Sequence, residues 1–347
     1  MATEDELLEK SLRGKWQYPQ DLKKWDEHIK GYSIDGCAAL NESNLVFIFR
    51  REEGTGPVIK LIRFFRDEKK QFSGKTIDNV KEIGYIVGLN EENALWVTNR
   101  GDVYNLAKTN ESSGFEKPIP GKDDEFGYKV VGGIGKVGNH VYAACGWRHV
   151  FKRTAKDTWV DITTKLDRSD IFNKKGAGWN INKSSRTGFV CIGGSAENDL
   201  YAAGDGGDCW HYDGMNWKRI DLPTNETVNC IVAISQKQVY MACGGGVLLM
   251  GGQDNWKVIK HPDNKDNFEA LVAFQGVIYV STGIYMYKVV DGKLEEHIPA
   301  KENYEIEPFT QHYLSANNDI MLSCGQVSVA IFDGYRWFPF APNGPSR

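Results

Sequence analysis

A short pattern of an apolar residue, an aromatic residue, small residues and a glycine recurs along the chain. It is clearest at residues 140–146, 199–204 and 238–244. Weaker copies keep the same alternation, at residues 45–48, 95–98, 278–283 and 320–325. Short apolar runs that end in glycine or another turn residue are typical of β-strands. The pattern therefore predicts a repeated unit built from strands.

The residue at the second position of each copy gives the period of the repeat. Successive copies are 39 to 59 residues apart, and the residues at this position are Phe47, Trp96, Tyr142, Tyr201, Tyr240, Tyr279 and Met321. Periods of roughly 40 to 50 residues, made of short strands, are typical of propeller blades. Seven copies predict seven blades, which start near residues 36, 83, 130, 189, 228, 268 and 309.

A second marker follows the same period. An Asp-Gly pair precedes a tryptophan at 213–217 and again at 333–337. Asp-Gly between apolar runs predicts a two-residue hairpin turn, because both turn positions need a positive φ. We therefore expect four strands in each blade, with a large aromatic at the outer strand that covers the gap to the neighbouring blade. Because one blade cannot bury both of its faces, the fold predicted is all-β, a single closed β-propeller of about seven four-stranded blades.

The run at residues 200–207, followed by residues 212–217, resembles the repeat of bacterial β-propellers that are distantly similar to WD-repeat and tectonin-like proteins. The resemblance covers residues 34–347, although no Trp-Asp pair closes the blades. Propellers of this kind include immunity proteins that neutralise secreted antibacterial toxins. The resemblance thus implies a bacterial protein that binds a toxin effector.

Residues 1–33 lie outside the repeat and form a short helical N-terminal extension in this interpretation. Leu8, Leu12 and Trp16 keep a helical spacing, and residues 21–29 are also helix-like. The extension is expected to cap the ring or to act as a partner-binding arm. Residues 15–19 faintly resemble the outer-strand run 336–339, which leaves open a ring closed by a borrowed strand.

Composition and charge exclude several classes of function. The 347 residues carry a formal net charge of −4, which argues against general nucleic-acid binding. The N-terminus has no basic and apolar leader, and no apolar run approaches the roughly 18 residues that span a bilayer. Seven scattered cysteines indicate reduced thiols. These features predict a cytoplasmic protein without membrane contact.

No motif in the sequence predicts catalysis, a cofactor or a metal. Residues 133–138 spell G-x-G-x-x-G, but a repeat strand follows them where a dinucleotide site needs a helix. The sequence contains no H-E-x-x-H, C-x-x-C or G-x-S-x-G. We therefore predict a non-catalytic protein-binding propeller. Two alternatives stay open: a lectin-like glycan-binding propeller, and a hydrolase or lyase with its site in the central channel.

Two features predict where a partner binds. In a propeller the loops between second and third strands share one face with the blade-to-blade connections. One such loop contains an aromatic and two potential cations, at 147–149, residue types that are enriched at binding hot spots. The step of 59 residues implies a long insertion near 166–187, with a local charge of +4 from residue 165 onward, which would steer an acidic partner.

The predicted partner-binding residues fall into two groups. The first surrounds the loop and the insertion: Trp147, Arg148, His149, Arg168, Phe172, Lys174, Lys175 and Trp179. The second occupies equivalent loops of other blades: Arg100, Asp205 and Tyr285. Two alternatives stand beside this prediction. In the first, Trp147 packs beneath a neighbouring loop and contacts no partner. In the second, the insertion is a solvated loop without a binding role.

Overall fold

A computed structural model describes residues 22–51, 59–68, 71–77, 80, 82–109, 111–121, 130–172, 188–261, 263–297, 313–335 and 337–341. Within these ranges two α-helices are present, α1 (Leu22–Ile29) and α2 (Ser169–Phe172). Neither is long and apolar enough to cross a membrane. All other regular structure is strand, apart from one 3₁₀ turn at Asp205–Gly207.

The strands form seven antiparallel sheets of four strands, each ordered as a simple meander. Blades 1 to 3 contain β1 (Tyr32–Asn41), β2 (Asn44–Arg51), β3 (Ile59–Phe65) and β4 (Phe72–Ile77); β5 (Gly84–Gly88), β6 (Ala94–Thr98), β7 (Val103–Leu106) and β8 (Gly114–Glu116); β9 (Val131–Val137), β10 (His140–Cys145), β11 (His149–Ala155) and β12 (Thr158–Asp161).

Blades 4 to 7 repeat this arrangement. They contain β13 (Phe189–Ala196), β14 (Asp199–Gly204), β15 (Cys209–Tyr212) and β16 (Trp217–Ile220); β17 (Val228–Ser235), β18 (Gln238–Cys243), β19 (Val247–Gly252) and β20 (Asn255–Lys260); β21 (Ala270–Phe274), β22 (Val277–Ser281), β23 (Met286–Val290) and β24 (Lys293–Glu296); β25 (Tyr313–Ala316), β26 (Met321–Cys324), β27 (Val329–Phe332) and β28 (Trp337–Ala341). The predicted all-β propeller of seven four-stranded blades is confirmed.

The ring closes where blade 7 meets blade 1. The first strand of every blade contacts the first strand of the next, and β25 contacts β1 in the same way. The amide of Ile34 donates to the carbonyl oxygen of Gln326 (2.6 Å), and the amide of Ala39 donates to Ser315 Oγ (3.0 Å). In the described part of the chain each blade takes its four strands from one stretch of sequence. The seam is therefore closed by side-by-side packing of two complete blades.

Apolar clusters between neighbouring blades form the core. The outer-strand tryptophans stack on rings of their own blades, Trp217 on Phe189 with centroids 6.1 Å apart and Trp337 on Phe332 at 5.0 Å. Their indole N–H groups reach the preceding blade, where Trp217 donates to the carbonyl oxygen of Ile162 (3.0 Å) and Trp337 to His297 Nε2 (3.1 Å). Such rings bury a large apolar area at the widest part of the wedge between blades.

Helix α1 covers the outer side of the blade 1–blade 7 seam. Trp25 is 1% exposed and meets Phe47 of blade 1 and Phe340 of blade 7 edge to face, at 5.3 and 5.2 Å. Ile29, one helical turn later, is equally buried. The helix therefore contributes a shared apolar plug to the two blades that close the ring. Leu8, Leu12 and Trp16 lie outside the described residues.

The glycine motif at 133–138 forms most of the inner strand β9 and the turn after it. A Cβ at Gly133 would overlap the carbonyl oxygen of Val190, and one at Gly135 would overlap that of Ile192. These glycines let the inner strands of blades 3 and 4 approach each other closely, which explains the motif without a phosphate ligand.

Candidate partner-binding face

The loops between second and third strands and the blade-to-blade connections lie at one end of the ring, here called the loop face. The strands of each meander alternate in direction, so these two sets of segments must share an end. The loop face differs from blade to blade. Blade 3 has Trp147 and Arg148 in its loop, whereas the equivalent positions are Gly206 and Gly207 in blade 4 and Gly245 and Gly246 in blade 5.

The blade 3 loop is a strained turn. Trp147 and Arg148 both have a positive φ, at 57° and 59°, and the amide of His149 donates to the carbonyl oxygen of Gly146 (3.2 Å). This is the geometry that the glycine pairs of blades 4 and 5 adopt without steric cost. A residue with a Cβ there costs roughly 1–2 kcal/mol. Other contacts of these residues must offset that cost.

Arg148 supplies much of that compensation. Its Nε and Nη2 donate to Asp208 of blade 4 (2.6 and 3.0 Å), and its Nη1 and Nη2 donate to Asp170 of α2 (2.6 and 3.0 Å). The guanidinium also lies over the ring of Trp210, 5.2 Å from its centroid. Charge-assisted, bidentate pairs of this kind are the strongest hydrogen bonds in proteins. Arg148 thus ties its own loop to blade 4 and to the beginning of the insertion.

Arg168 holds the same turn from the insertion side. Its Nε donates to the carbonyl oxygen of Trp147 (2.8 Å), and its Nη2 donates to the carbonyl oxygen of Arg148 (3.2 Å) and to Thr163 Oγ1 (2.8 Å). Burial lowers the pKa of this guanidinium, against the opposing charge of Asp161. The two carbonyl groups of the strained turn are therefore satisfied by one half-buried arginine.

His149 completes this network below the turn. Its Nδ1 lies 2.8 Å from an oxygen of Asp161. Burial disfavours the ionised form of Asp161, but hydrogen bonds from His149 and Thr163 outweigh it and hold the pKa of the carboxyl below its usual range. His149 is thus oriented by a carboxylate that stays charged.

Side chains of the first group of predicted residues are more buried than the sequence prediction assumed. Trp147 is 2% exposed and Arg148 is 4% exposed, so both side chains are covered here, as in the alternative of packing beneath a loop. Contact between these two side chains and a partner stays a prediction. Phe172 is the last residue of α2. Lys174, Lys175 and Trp179 lie outside the described residues.

The second group is exposed on the loop face, in three separate blades. Arg100 of blade 2 is 76% exposed and pairs with Glu82 (3.1 Å). Asp205 of blade 4 accepts a hydrogen bond from Thr227 Oγ1 (3.0 Å). Tyr285 of blade 6 is 43% exposed. The structure places these residues around the rim, and Asp205 also accepts a hydrogen bond at its carbonyl oxygen from the amide of Asp208, a partner of Arg148 (3.3 Å).

The sequence reasoning missed an apolar component of the loop face. Exposed large apolar residues precede the inner strands of blades 2 and 3 and occupy the loops of blades 6 and 7: Ile83, Val130, Ile284 and Val327. Single exposed apolar residues are ordinary, but here they recur at repeat-equivalent positions of one face. The register of the repeat was the signal that could have found them.

An acidic arc on the same face was also missed. The connections that follow blades 4 and 5 are rich in exposed carboxylates, namely Asp221, Glu226, Asp263, Asp266 and Glu269. Lys265 is the exposed basic residue among them. The sequence prediction emphasised the basic insertion after blade 3, and the described residues add a stretch of opposite charge beside it.

The loop face also contains a half-open cavity of about 350 Å³ between blades 3 and 4. Val130, Gly132, Val190 and Asp205 are among its lining residues. Among the described residues, no group of three or more His, Cys, Asp or Glu side chains converges as metal ligands do. The seven cysteines are free thiols, and burial raises the pKa of Cys230 to about 12, so this thiol is a poor nucleophile.

Fold and face together define a seven-bladed β-propeller of WD40-like architecture with an uneven loop face. The WD40 propeller domain of Doa1 is 9% identical, with a TM-score of 0.58 over 85% of this chain and 90% of that one. YCF48 bound to D1 peptide is 12% identical, with a TM-score of 0.58 over 87% and 93%. PorZ of the Porphyromonas gingivalis type-IX secretion system is 11% identical, with a TM-score of 0.56 over 91% and 39%. At these identities the similarity shows the fold alone.

A sequence relative shows the family. The chain is 30% identical to the immune protein Tsi7 of Pseudomonas aeruginosa over 249 residues, which are 71% of this chain and 75% of that protein. The chain therefore belongs to the family of this immune protein. No family model matches the sequence.

Proposed function

We propose that this chain is a cytoplasmic immunity protein that binds one toxin protein, one to one, through its loop face. The observation that carries the proposal is the 30% identity to the immune protein Tsi7 over three quarters of that protein. In this account the propeller neutralises the toxin by covering the surface the toxin needs for its own reaction. It contributes no catalytic step.

The unevenness of the loop face supports a single asymmetric partner. A lectin-like propeller would repeat similar polar residues at equivalent loops of its blades. Here the equivalent positions are Trp147 and Arg148 in blade 3 but glycine pairs in blades 4 and 5, and an apolar pair, Ile284 and Tyr285, occupies the blade 6 loop. Protein interfaces of standard size bury about 800 Å² on each partner. A contact of that size spans several of these unlike loops at once.

The hydrogen-bond network of Arg148 and Arg168 also supports the proposed binding of a protein partner. Arg148, which is buried, and Arg168, which is half-buried, fix the blade 3 loop and the first residues of the insertion relative to blade 4. A binding surface that is rigid before contact loses less conformational entropy when the partner binds. The strain at Trp147 and Arg148 is consistent with a loop shaped for recognition.

The direct test is capture of a partner from the native host with the full tagged chain as bait, followed by expression of that partner alone. The proposal predicts one stoichiometric protein that arrests growth when expressed by itself and is harmless when co-expressed with this chain. Light scattering of the purified complex should give one copy of each. A captured protein that is not toxic, or one that stays toxic on co-expression, would contradict the proposal.

A further inference from the structure

Four blades share a β-bulge near the start of the inner strand. The register between first and second strands skips one residue there, between Ile34 and Gly36 in blade 1 and at the equivalent place in blades 3, 4 and 5. The skipped residues are Asp35, Gly132, Val190 and Asn229. A bulge leaves one residue out of the alternation of the strand and re-aims its side chain. Four equivalent positions are therefore released from normal blade packing.

These positions surround the mouth of the central channel on the loop face. The inner strands line the channel, and each bulge lies at the loop-face end of its strand. Gly132 and Val190 line the cavity between blades 3 and 4. Asn229 is satisfied, because its Nδ2 donates to the carbonyl oxygen of Phe268 (2.9 Å). Three of the four positions thus hold neutral residues, and the fourth holds a carboxylate.

The carboxylate of Asp35 is only half satisfied. The residue is 6% exposed, and its Oδ1 pairs with Arg50 Nη2 (3.1 Å). Its Oδ2 is buried and has no hydrogen-bond partner among the described residues. A buried carboxylate oxygen without a donor costs free energy, and such atoms are rare in native proteins. Asp35 Oδ2 therefore lacks a donor, and a cationic donor fits the charge of the carboxylate, whose pKa is raised by burial.

Two tyrosines flank this carboxylate, one from each neighbouring blade. Burial raises the pKa of Tyr85 of blade 2 and, to about 12, that of Tyr313 of blade 7, and the charge of Asp35 adds to both shifts. β1 lies between β25 and β5, so Tyr313 and Tyr85, near the loop-face ends of those two strands, stand on either side of Asp35.

We propose that Asp35 is the counter-ion for an arginine or lysine side chain that the protein partner inserts into the mouth of the central channel. The inference rests on the proposed function, because it names the chemistry of that partner's anchor. The incoming guanidinium or ammonium donates to Asp35 Oδ2 while Arg50 keeps Oδ1.

A small probe tests the site without the partner. Agmatine, a butylamine that ends in a guanidinium, is titrated into the full chain at pH 8 by calorimetry. We expect binding with a dissociation constant of about 1 mM. Asp35→Asn should weaken it at least tenfold. Asp291→Asn, which removes the same charge from an exposed turn on the opposite face, should leave it unchanged.

A second variant separates loss of the site from loss of the fold. Arg50→Gln frees Oδ1 as well, so it should bind agmatine several-fold more tightly, whereas a misfolded variant would bind less. Circular dichroism checks that all variants are folded. Absence of agmatine binding to the unchanged chain, or equal binding to the Asp35→Asn variant, would overturn the inference. So would stabilisation by calcium chloride but not by agmatine, because that result indicates a metal site.

The captured partner gives an independent readout. Its affinity should fall at least tenfold with Asp35→Asn and stay unchanged with Asp291→Asn, which removes a charge from the opposite face. A partner that binds the Asp35→Asn variant normally would overturn the channel anchor and leave the proposed function standing. If no toxin partner exists, the proposed function fails, and the agmatine titration still decides whether Asp35 binds a cation.

Discussion

Arg148 and Asp208 join neighbouring blades through two parallel hydrogen bonds of 2.6 and 3.0 Å, although 60 residues separate them in sequence. The remaining donors of the same guanidinium hold Asp170, where the insertion begins. One buried side chain therefore sets the relative positions of the blade 3 loop, blade 4 and the insertion. The shape of the loop face in this region depends on it.

Removing Arg148 should destabilise the protein strongly. Arg148→Ala leaves Asp208, which is 13% exposed, without its charged partner, and the unpaired charge should cost about 3 kcal/mol of the free energy of unfolding. Arg100→Ala is the matched control, because Arg100 is 76% exposed in the equivalent loop of blade 2 and its loss should cost less than about 0.5 kcal/mol. Urea denaturation measures both. Equal effects would show that the Arg148 network does not stabilise the fold.

The close approach of blades 3 and 4 gives a second test. Gly133→Ala places a Cβ against the backbone of Val190 in the next inner strand, and separating the two strands should cost about 2–3 kcal/mol. Gly114→Ala, in the outer strand β8, meets nothing within 4 Å and should change stability by less than about 0.5 kcal/mol. Thermal melting of the two variants compares them directly. A stable Gly133→Ala variant would contradict the packing explanation of the glycine motif.

The fold was predictable because the repeat is visible in the sequence. The repeated positions from Phe47 to Met321 gave the number of blades, and the Asp-Gly pairs gave the third turn of blades 4 and 7. In those turns the glycine has the predicted positive φ and the aspartate does not. The seven predicted starting points lie within about four residues of the inner strands. Each copy of a periodic sequence predicts the same arrangement of strands, so agreement among the copies strengthens the prediction for every blade.

The site was less predictable, because it depends on residues that break the repeat. Trp147 looked like an exposed anchor, and its burial could not be read from its loop position. The partners of Arg148 lie 22 and 60 residues away, and charges on different blades meet only after the ring has formed. The bulge at Asp35 could not be predicted either, because β1 is buried on both faces and its sequence shows no alternation of polar and apolar residues that a bulge would interrupt.

His297 predicts a dependence of stability on pH. Burial, with a smaller effect of Lys288, lowers its pKa from 6.5 to about 4, and its Nε2 accepts a hydrogen bond from Trp337 (3.1 Å). The unfolded chain binds this proton below pH 6.5 but the folded chain does so only near pH 4. Stability is therefore lost as the pH falls through this window, by as much as about 3 kcal/mol.

Unfolding free energies measured from pH 7 to pH 4 check this dependence. The His297→Gln variant keeps an acceptor for Trp337 but does not titrate, so its stability should fall less steeply over the same range. Parallel pH profiles for the variant and the unchanged chain would show that His297 is not the group responsible.

The central claim is that the loop face, and not the opposite face, binds the partner. Two exposed tyrosines make a matched pair: Tyr285, 43% exposed in the blade 6 loop on the loop face, and Tyr335, 52% exposed in the last turn of blade 7 on the opposite face. The decisive measurement is the affinity of the captured partner for the Tyr285→Ala and Tyr335→Ala variants. If the partner binds the loop face, its affinity should fall at least fivefold, or by about 1 kcal/mol, for Tyr285→Ala and stay unchanged for Tyr335→Ala. A loss of affinity confined to Tyr335→Ala would place the partner on the opposite face and contradict binding through the loop face.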